Sequence, residues 1–84
     1  MAEIIDQPIS VSLISDIKLN KVYPYFFKWQ NRIYKINQVG LHHTERVGRI
    51  LFHIFSVTDG SNFFRLSFNT ETLFWKLEEI ENGF

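Results

Sequence analysis

Phe27-Lys28-Trp29-Gln30-Asn31-Arg32-Ile33-Tyr34-Lys35-Ile36 is the stretch that decides the fold. Large apolar side chains alternate with other residues on either side of Gln30-Asn31, the period of a half-buried strand flanking a tight turn. Asparagine tolerates the positive φ that a two-residue hairpin loop requires. Such a loop sets Trp29 opposite Arg32, Phe27 opposite Tyr34 and Tyr25 opposite Ile36, all on one face of the ribbon. In this register the Arg32 guanidinium is expected to lie on the Trp29 indole, a cation–π clasp beside the turn.

Upstream, Ile9, Val11 and Leu13 alternate with Ser10 and Ser12, which predicts a first strand ending near Ser15-Asp16. Pro8 and Pro24 stand ahead of or at the start of extended runs. Strands are predicted over 22–29 and 32–39. Residues 40–48 are polar, bounded by glycines, and hold His42, His43, Glu45 and Arg46; they read as an exposed loop and a candidate functional one. Further strands are predicted over 49–57, 62–68 and 73–80, separated by turns at 58–61 and 69–72. Asp59-Gly60 is a strong hairpin signal.

The two later turns each predict which residues share a face. A two-residue loop at Asp59-Gly60 pairs Phe55 with Phe64, His53 with Leu66 and Leu51 with Phe68. A four-residue loop over 69–72 pairs Phe68 with Leu73, Leu66 with Trp75 and Phe64 with Leu77. The common face, Leu51, His53, Phe55, Phe64, Leu66, Phe68, Leu73, Trp75 and Leu77, is almost wholly apolar and is the expected core. His53 lies among apolar residues there and is read as a histidine satisfied by a polar neighbour. The other face carries Ile50, Phe52, Ile54, Phe63, Arg65, Phe74, Lys76, Glu78 and Ile80, too apolar to meet water uncovered.

These patterns predict an all-β fold in a single domain over 1–84. It is a small antiparallel meander of five to six strands in a strongly curved sheet or partly open barrel, with 1–7 and 81–84 frayed. At 84 residues the share of surface buried on folding is small, and the nine Phe, three Tyr and two Trp compensate with large apolar area. The absence of cysteine excludes disulfides, thiol catalysis and most structural zinc sites. Nine basic residues balance nine acidic ones, so no overall field draws the chain to nucleic acid or anionic lipid. The first six residues carry acid where a secretory signal needs base, and the apolar run over 50–55 is too short to span a bilayer. A soluble cytoplasmic protein without a membrane partner is the expectation.

The run Pro24, Phe27, Trp29, Arg32, Tyr34, Ile36 resembles a pattern of small bacterial domains of unknown function, Pro followed by Phe-x-Trp-x-Gly-Arg-x-Tyr-x-Val. Pro8-Ile9-Ser10-Val11 resembles that family's opening strand, residues 48–57 its central strand, residues 63–69 its next, and Phe74-Trp75-Lys76-Leu77 its closing Trp-x-Leu. Asn31 stands where glycine is usual, which the same turn tolerates, and His42-His43 where an aromatic is expected. The resemblance implies a small antiparallel β domain and brings no known activity; a link to DNA repair enters only through it.

Acid–base catalysis needs paired carboxylates, or a histidine and a carboxylate, in a pocket. The acids here lie mostly at ends and turns, and no strand-to-helix elbow presents a serine, so the expectation is not an enzyme and no cofactor. His42, His43 and Glu45 are the one close set with metal-ligand chemistry, and adjacent histidines on extended backbone point to opposite sides, so no metal site is expected. The candidate interaction surface is Phe52, Ile54, Phe63, Arg65, Phe74 and Lys76. A protein partner or a homodimer fits its apolar patch and charged rim. Stacking of single-stranded nucleic acid on its phenylalanines beside Arg65 and Lys76 is the alternative.

Overall fold

Gln30 and Asn31 take φ of 52° and 61° in the computed structural model, which describes residues 2–82. Both central residues are left-handed, as a type I′ turn demands, and the turn joins β2 (Lys21–Trp29) to β3 (Arg32–Lys35). Phe27 faces Tyr34 and Trp29 faces Arg32 as predicted, and Ile36 donates its N–H to the Tyr25 carbonyl at 3.0 Å. The side chains differ from the expected clasp. The Arg32 guanidinium lies over Tyr34, 5.3 Å from its centroid, while the Trp29 indole N–H donates to Gln7 Oε1 at 2.8 Å. A buried-side indole donor takes a fixed acceptor when one is in reach.

Five further strands complete the fold: β1 (Ala2–Asp16), β4 (Gln38–Val47), β5 (Ile50–Thr58), β6 (Asn62–Asn69) and β7 (Trp75–Asn82). All seven form one antiparallel sheet in the order β3-β2-β1-β7-β6-β5-β4. The sheet is open, with β3 and β4 at its edges. The count exceeds the expected five to six because residues 40–47 of the expected loop are strand. Gly48, at φ 61°, opens a two-residue turn with Arg49, and Val47 pairs with Ile50 across it.

β1 serves two partners in succession. Its first part, Ala2 to Ile9, pairs with β7, and Ser10 to Asp16 pair with β2. A bulge between Ile4 and Gln7, where Asp6 takes φ 53°, bends the strand between Ile4 and Gln7. The expected fraying over 1–7 and 81–84 meets paired strand at Ala2 with Glu81 and Glu3 with Ile80; residues 1, 83 and 84 lie outside the described ones.

Although β1 and β7 separate β2 from β6 in the sheet, Phe27 meets Phe64 edge-on at 5.0 Å and Tyr34 meets it at 5.5 Å. The two halves of the sheet therefore face one another across a common core. Phe27, Val57, Phe64, Leu66 and Leu77 are essentially inaccessible there, with Phe55, Ile36 and Trp75 nearly so. Burial of this apolar area is the main stabilising term, about 25 cal/mol per Å².

Both later hairpins slip two residues from the predicted registers. Phe55 pairs with Leu66 and Val57 with Phe64, because the Asp59 carboxylate accepts from Ser61 and Asn62 N–H and widens the turn to four residues. Phe68 pairs with Trp75 rather than Leu73, which is expelled into the turn at φ 66°. A slip of two preserves which face a side chain occupies. The core face thus survives for Phe55, Phe64, Leu66, Trp75 and Leu77, gains Val57, and loses exposed Leu73. Ile80 changes face, since the irregularity after Leu66 and Leu77 brings it opposite Phe64 and against the core.

Candidate functional site

The side chains singled out at 42–46 lie along an edge. Alternation in β4 sends His42, Thr44 and Arg46 to the inner face, opposite Phe55, His53 and Leu51, and His43 and Glu45 to the outer face, opposite Ile54 and Phe52. The outward half of this backbone follows from the turn. In a two-residue hairpin the flanking pair, Val47 and Ile50, exchanges both hydrogen bonds, and bonded and non-bonded pairs then alternate. Glu45 and His43 thus bond to β5, whereas the N–H and C=O of His42, Thr44 and Arg46 point to the open side. Consistently, the Leu51 carbonyl, opposite Arg46, turns away from β4 to accept from Thr70 N–H at 3.2 Å.

On the inner face His42 stacks on Phe55, with centroids 4.2 Å apart and planes 5° from parallel, and its Nε2 lies 2.8 Å from His53 Nδ1. His42 is therefore the polar neighbour that satisfies His53. The pair forms one wall of a cleft of about 790 Å³, bounded by Val39 and Leu41 on one side and Leu19, Val22 and Tyr23 on the other. Leu19, Val22 and Leu41 are exposed at its rim.

Packing against Phe55 removes part of the hydration of His42, which otherwise stays exposed at the sheet edge. This burial, with the nearby His53 and His43 rings, lowers its pKa from the ordinary 6.5. The folded state then releases the proton before the unfolded state does. The linked stability is level above about pH 6.5 and falls as pH drops through the lower folded pKa. Urea midpoints measured at about pH 7.5 and 5.5 are expected to drop further in the wild type than in His42→Phe, which keeps the stack without the proton. An equal drop would remove His42 as the cause.

The outer face is roofed by an ion-pair lattice. Arg65 donates from Nε to Glu78 Oε1 and from Nη2 to Glu45 Oε2, each at 2.8 Å. The hydrogen bond to Glu78, then the charges of Glu78 and Glu45, raise the guanidinium's pKa against the opposing effect of burial. Reaching β4 from β6 takes the side chain across β5. Since Arg65 is level with Ser56 and Glu45 with Phe52, the residue beneath is Ile54, which is 1% exposed. Lys76 reaches Asp6 at 3.1 Å.

The six outer-face residues are therefore not one patch. Ile54 is covered, Arg65 and Lys76 are paired, and Phe52 is half-buried along a groove of about 340 Å³ that Phe74 also lines. Phe74 is 76% exposed beside the 69–74 turn, whereas Phe63, at 49%, sits at the opposite end of β6. The exposed apolar tip between β1 and β2, Ile17 and Leu19, was not among the sequence candidates; its signal is a pair of large aliphatics inside a turn.

Among the described residues, no three of His, Asp and Glu converge to hold a metal ion, and two ring nitrogens fall short of a zinc ligand set. The one approach of a histidine to a carboxylate there is His43 Nε2 to Glu45 Oε1, at 4.0 Å on the outer face. No helix among them is long and apolar enough to cross a membrane. No family model, curated protein or solved structure matches the chain.

Proposed function

We propose that this chain is a non-enzymatic cytoplasmic interaction module that self-associates. The observation that carries the reading is the contrast between its two sheet edges. β3 is four residues long and bears Arg32 and Lys35, the short, charged form that resists pairing. β4 runs for ten residues and contains no lysine or proline, and no element among the described residues covers its outward N–H and C=O groups. Exposed Leu41 and Val47 flank its central residues. A strand of this kind recruits another strand. Kinship with the small bacterial domains whose hairpin the chain resembles fits a module of this size.

Light scattering at tens of micromolar protein tests the reading. A mass of two chains is expected, and a monomer throughout overturns it. The nucleic-acid alternative needs free cations beside stacking rings, whereas Arg65 is engaged by two carboxylates and Lys76 by Asp6. Titration of fluorescent single-stranded DNA at low salt is expected to show no binding. Salt-sensitive binding lost on Phe63→Ala or Arg65→Ala would instead establish the alternative.

A further inference from the structure

We infer that two copies join by antiparallel pairing of β4 with β4 about a two-fold axis at Thr44, so that Leu41 faces Val47 and His43 faces Glu45 of the second copy. This rests on the self-association proposed above and specifies its surface and register.

Backbone chemistry narrows the choices first. The outward groups belong to His42, Thr44 and Arg46, so a two-fold pairing must set these residues opposite one another to satisfy them. Centring the axis on His43, Thr44 or Glu45 does so for the central part of the strand. Side chains then discriminate among the three.

With the axis at Glu45, its carboxylate faces the same carboxylate in the second copy, and like charges directly opposite are destabilising. With the axis at His43, imidazole faces imidazole, Glu45 faces Leu41, and Val47 is carried towards the irregularity between Val39 and Leu41. With the axis at Thr44 the outer-face His43 and Glu45 each meet a complement, and Leu41, which also borders the inner cleft, stands directly opposite Val47. The two aliphatics, 55% and 66% exposed in the single chain, cover each other at both ends. Imidazole meets carboxylate twice between them. The acceptor is in place, because Glu45 commits Oε2 to Arg65 while Oε1 lies no closer than 4.0 Å to its own His43. Among the described residues, His43 Nδ1 is buried and has no hydrogen-bond partner.

On the inner face the axis sets Thr44 against Thr44, a favourable cross-strand pair, and His42 against Arg46. That last contact is tolerated because the His42 ring, stacked on Phe55 and bonded to His53, holds its proton weakly. The pairing also shields the longer open edge of the sheet.

The chain has no cysteine, so single introduced thiols read the register directly. A disulfide requires Cα atoms roughly 4.4–6.8 Å apart, the separation of residues directly opposite, whereas a residue two positions out of register adds about 7 Å along the strand. Under mild oxidation, Thr44→Cys is expected to yield disulfide-linked dimer roughly ten-fold faster than His43→Cys or Glu45→Cys. Circular dichroism first checks that each variant is folded, and light scattering is run on the wild type. Preferential cross-linking at 43 or 45 would overturn the register while leaving self-association intact. A dimeric wild type with no cross-link at any of the three positions would move the interface elsewhere and overturn the inference alone. A monomeric wild type would overturn both.

Discussion

Phe27→Ala is expected to lower the stability of the fold by about 3–5 kcal/mol, the range for truncating a fully buried aromatic. Phe27 is 0% exposed, lies flat on Tyr34 at 5.0 Å and meets Phe64 edge-on at the same distance. It is thus the side chain through which the β2–β3 half of the sheet grips the β5–β7 half. Domains of this kind have about 5–15 kcal/mol in total, and short chains sit at the lower end. The variant is therefore expected to be substantially unfolded near 37 °C. Urea unfolding at matched protein concentration measures this, with a lowered midpoint and an unchanged slope. Phe74→Ala, at a ring 76% exposed, is the internal control and is expected to change stability by less than about 0.5 kcal/mol. Equal losses in the two variants would contradict the packing described for Phe27.

Thr44→Pro is expected to abolish self-association while leaving the fold intact. Proline lacks the N–H, and at residue 44 that group points to the open side of β4, so no bond to β5 is lost. In the paired state the same group donates across the two-fold axis, and symmetry removes it twice. Two unsatisfied buried carbonyls at about 1–3 kcal/mol each weaken the dimer by at least roughly thirty-fold. Light scattering across a dilution series reads the mass, and circular dichroism reads the fold. Thr44→Val, which keeps the N–H, is expected to remain dimeric. A dimeric Thr44→Pro would exclude β4 as the interface.

The parts of the fold legible in the sequence are those set by local rules. Gln30-Asn31 declares its turn because few residues accept two successive left-handed conformations, and its register follows from loop length alone. The inner face of β5, β6 and β7 was legible for a related reason: alternation survives even when the registers slip by two, as they do at both Asp59 and Asn69. Leu73, expelled by that slip, and Ile80, reversed by the irregularity beyond Leu77, show where pattern reading ends. Neither event leaves a mark in the period of the residues themselves.

The candidate site was less legible. Residues 40–48 look like a loop because an edge strand with one exposed face carries polar residues at nearly the frequency of a turn. The signal that corrects this is Gly48-Arg49, a glycine-first two-residue turn between Val47 and Ile50. The meeting of His42 with His53 has no counterpart in a loop reading of 40–48, since it depends on the register of that very hairpin.

An antiparallel β domain, its first hairpin and most of its apolar face are thus written in local order along the chain, because φ preferences and two-residue alternation act between near neighbours. The pairing of Arg65 with Glu45 and Glu78, the position of Ile54 beneath them, and β4 as the long open edge arise from the assembled sheet. Those outcomes depend on strand order. β1 pairs with β7 across nearly the whole chain, and this non-local closure places β3 and β4 at the edges of the sheet. The packing of Phe27 on Phe64 accompanies that closure, a contact between residues far apart in sequence that no local period encodes.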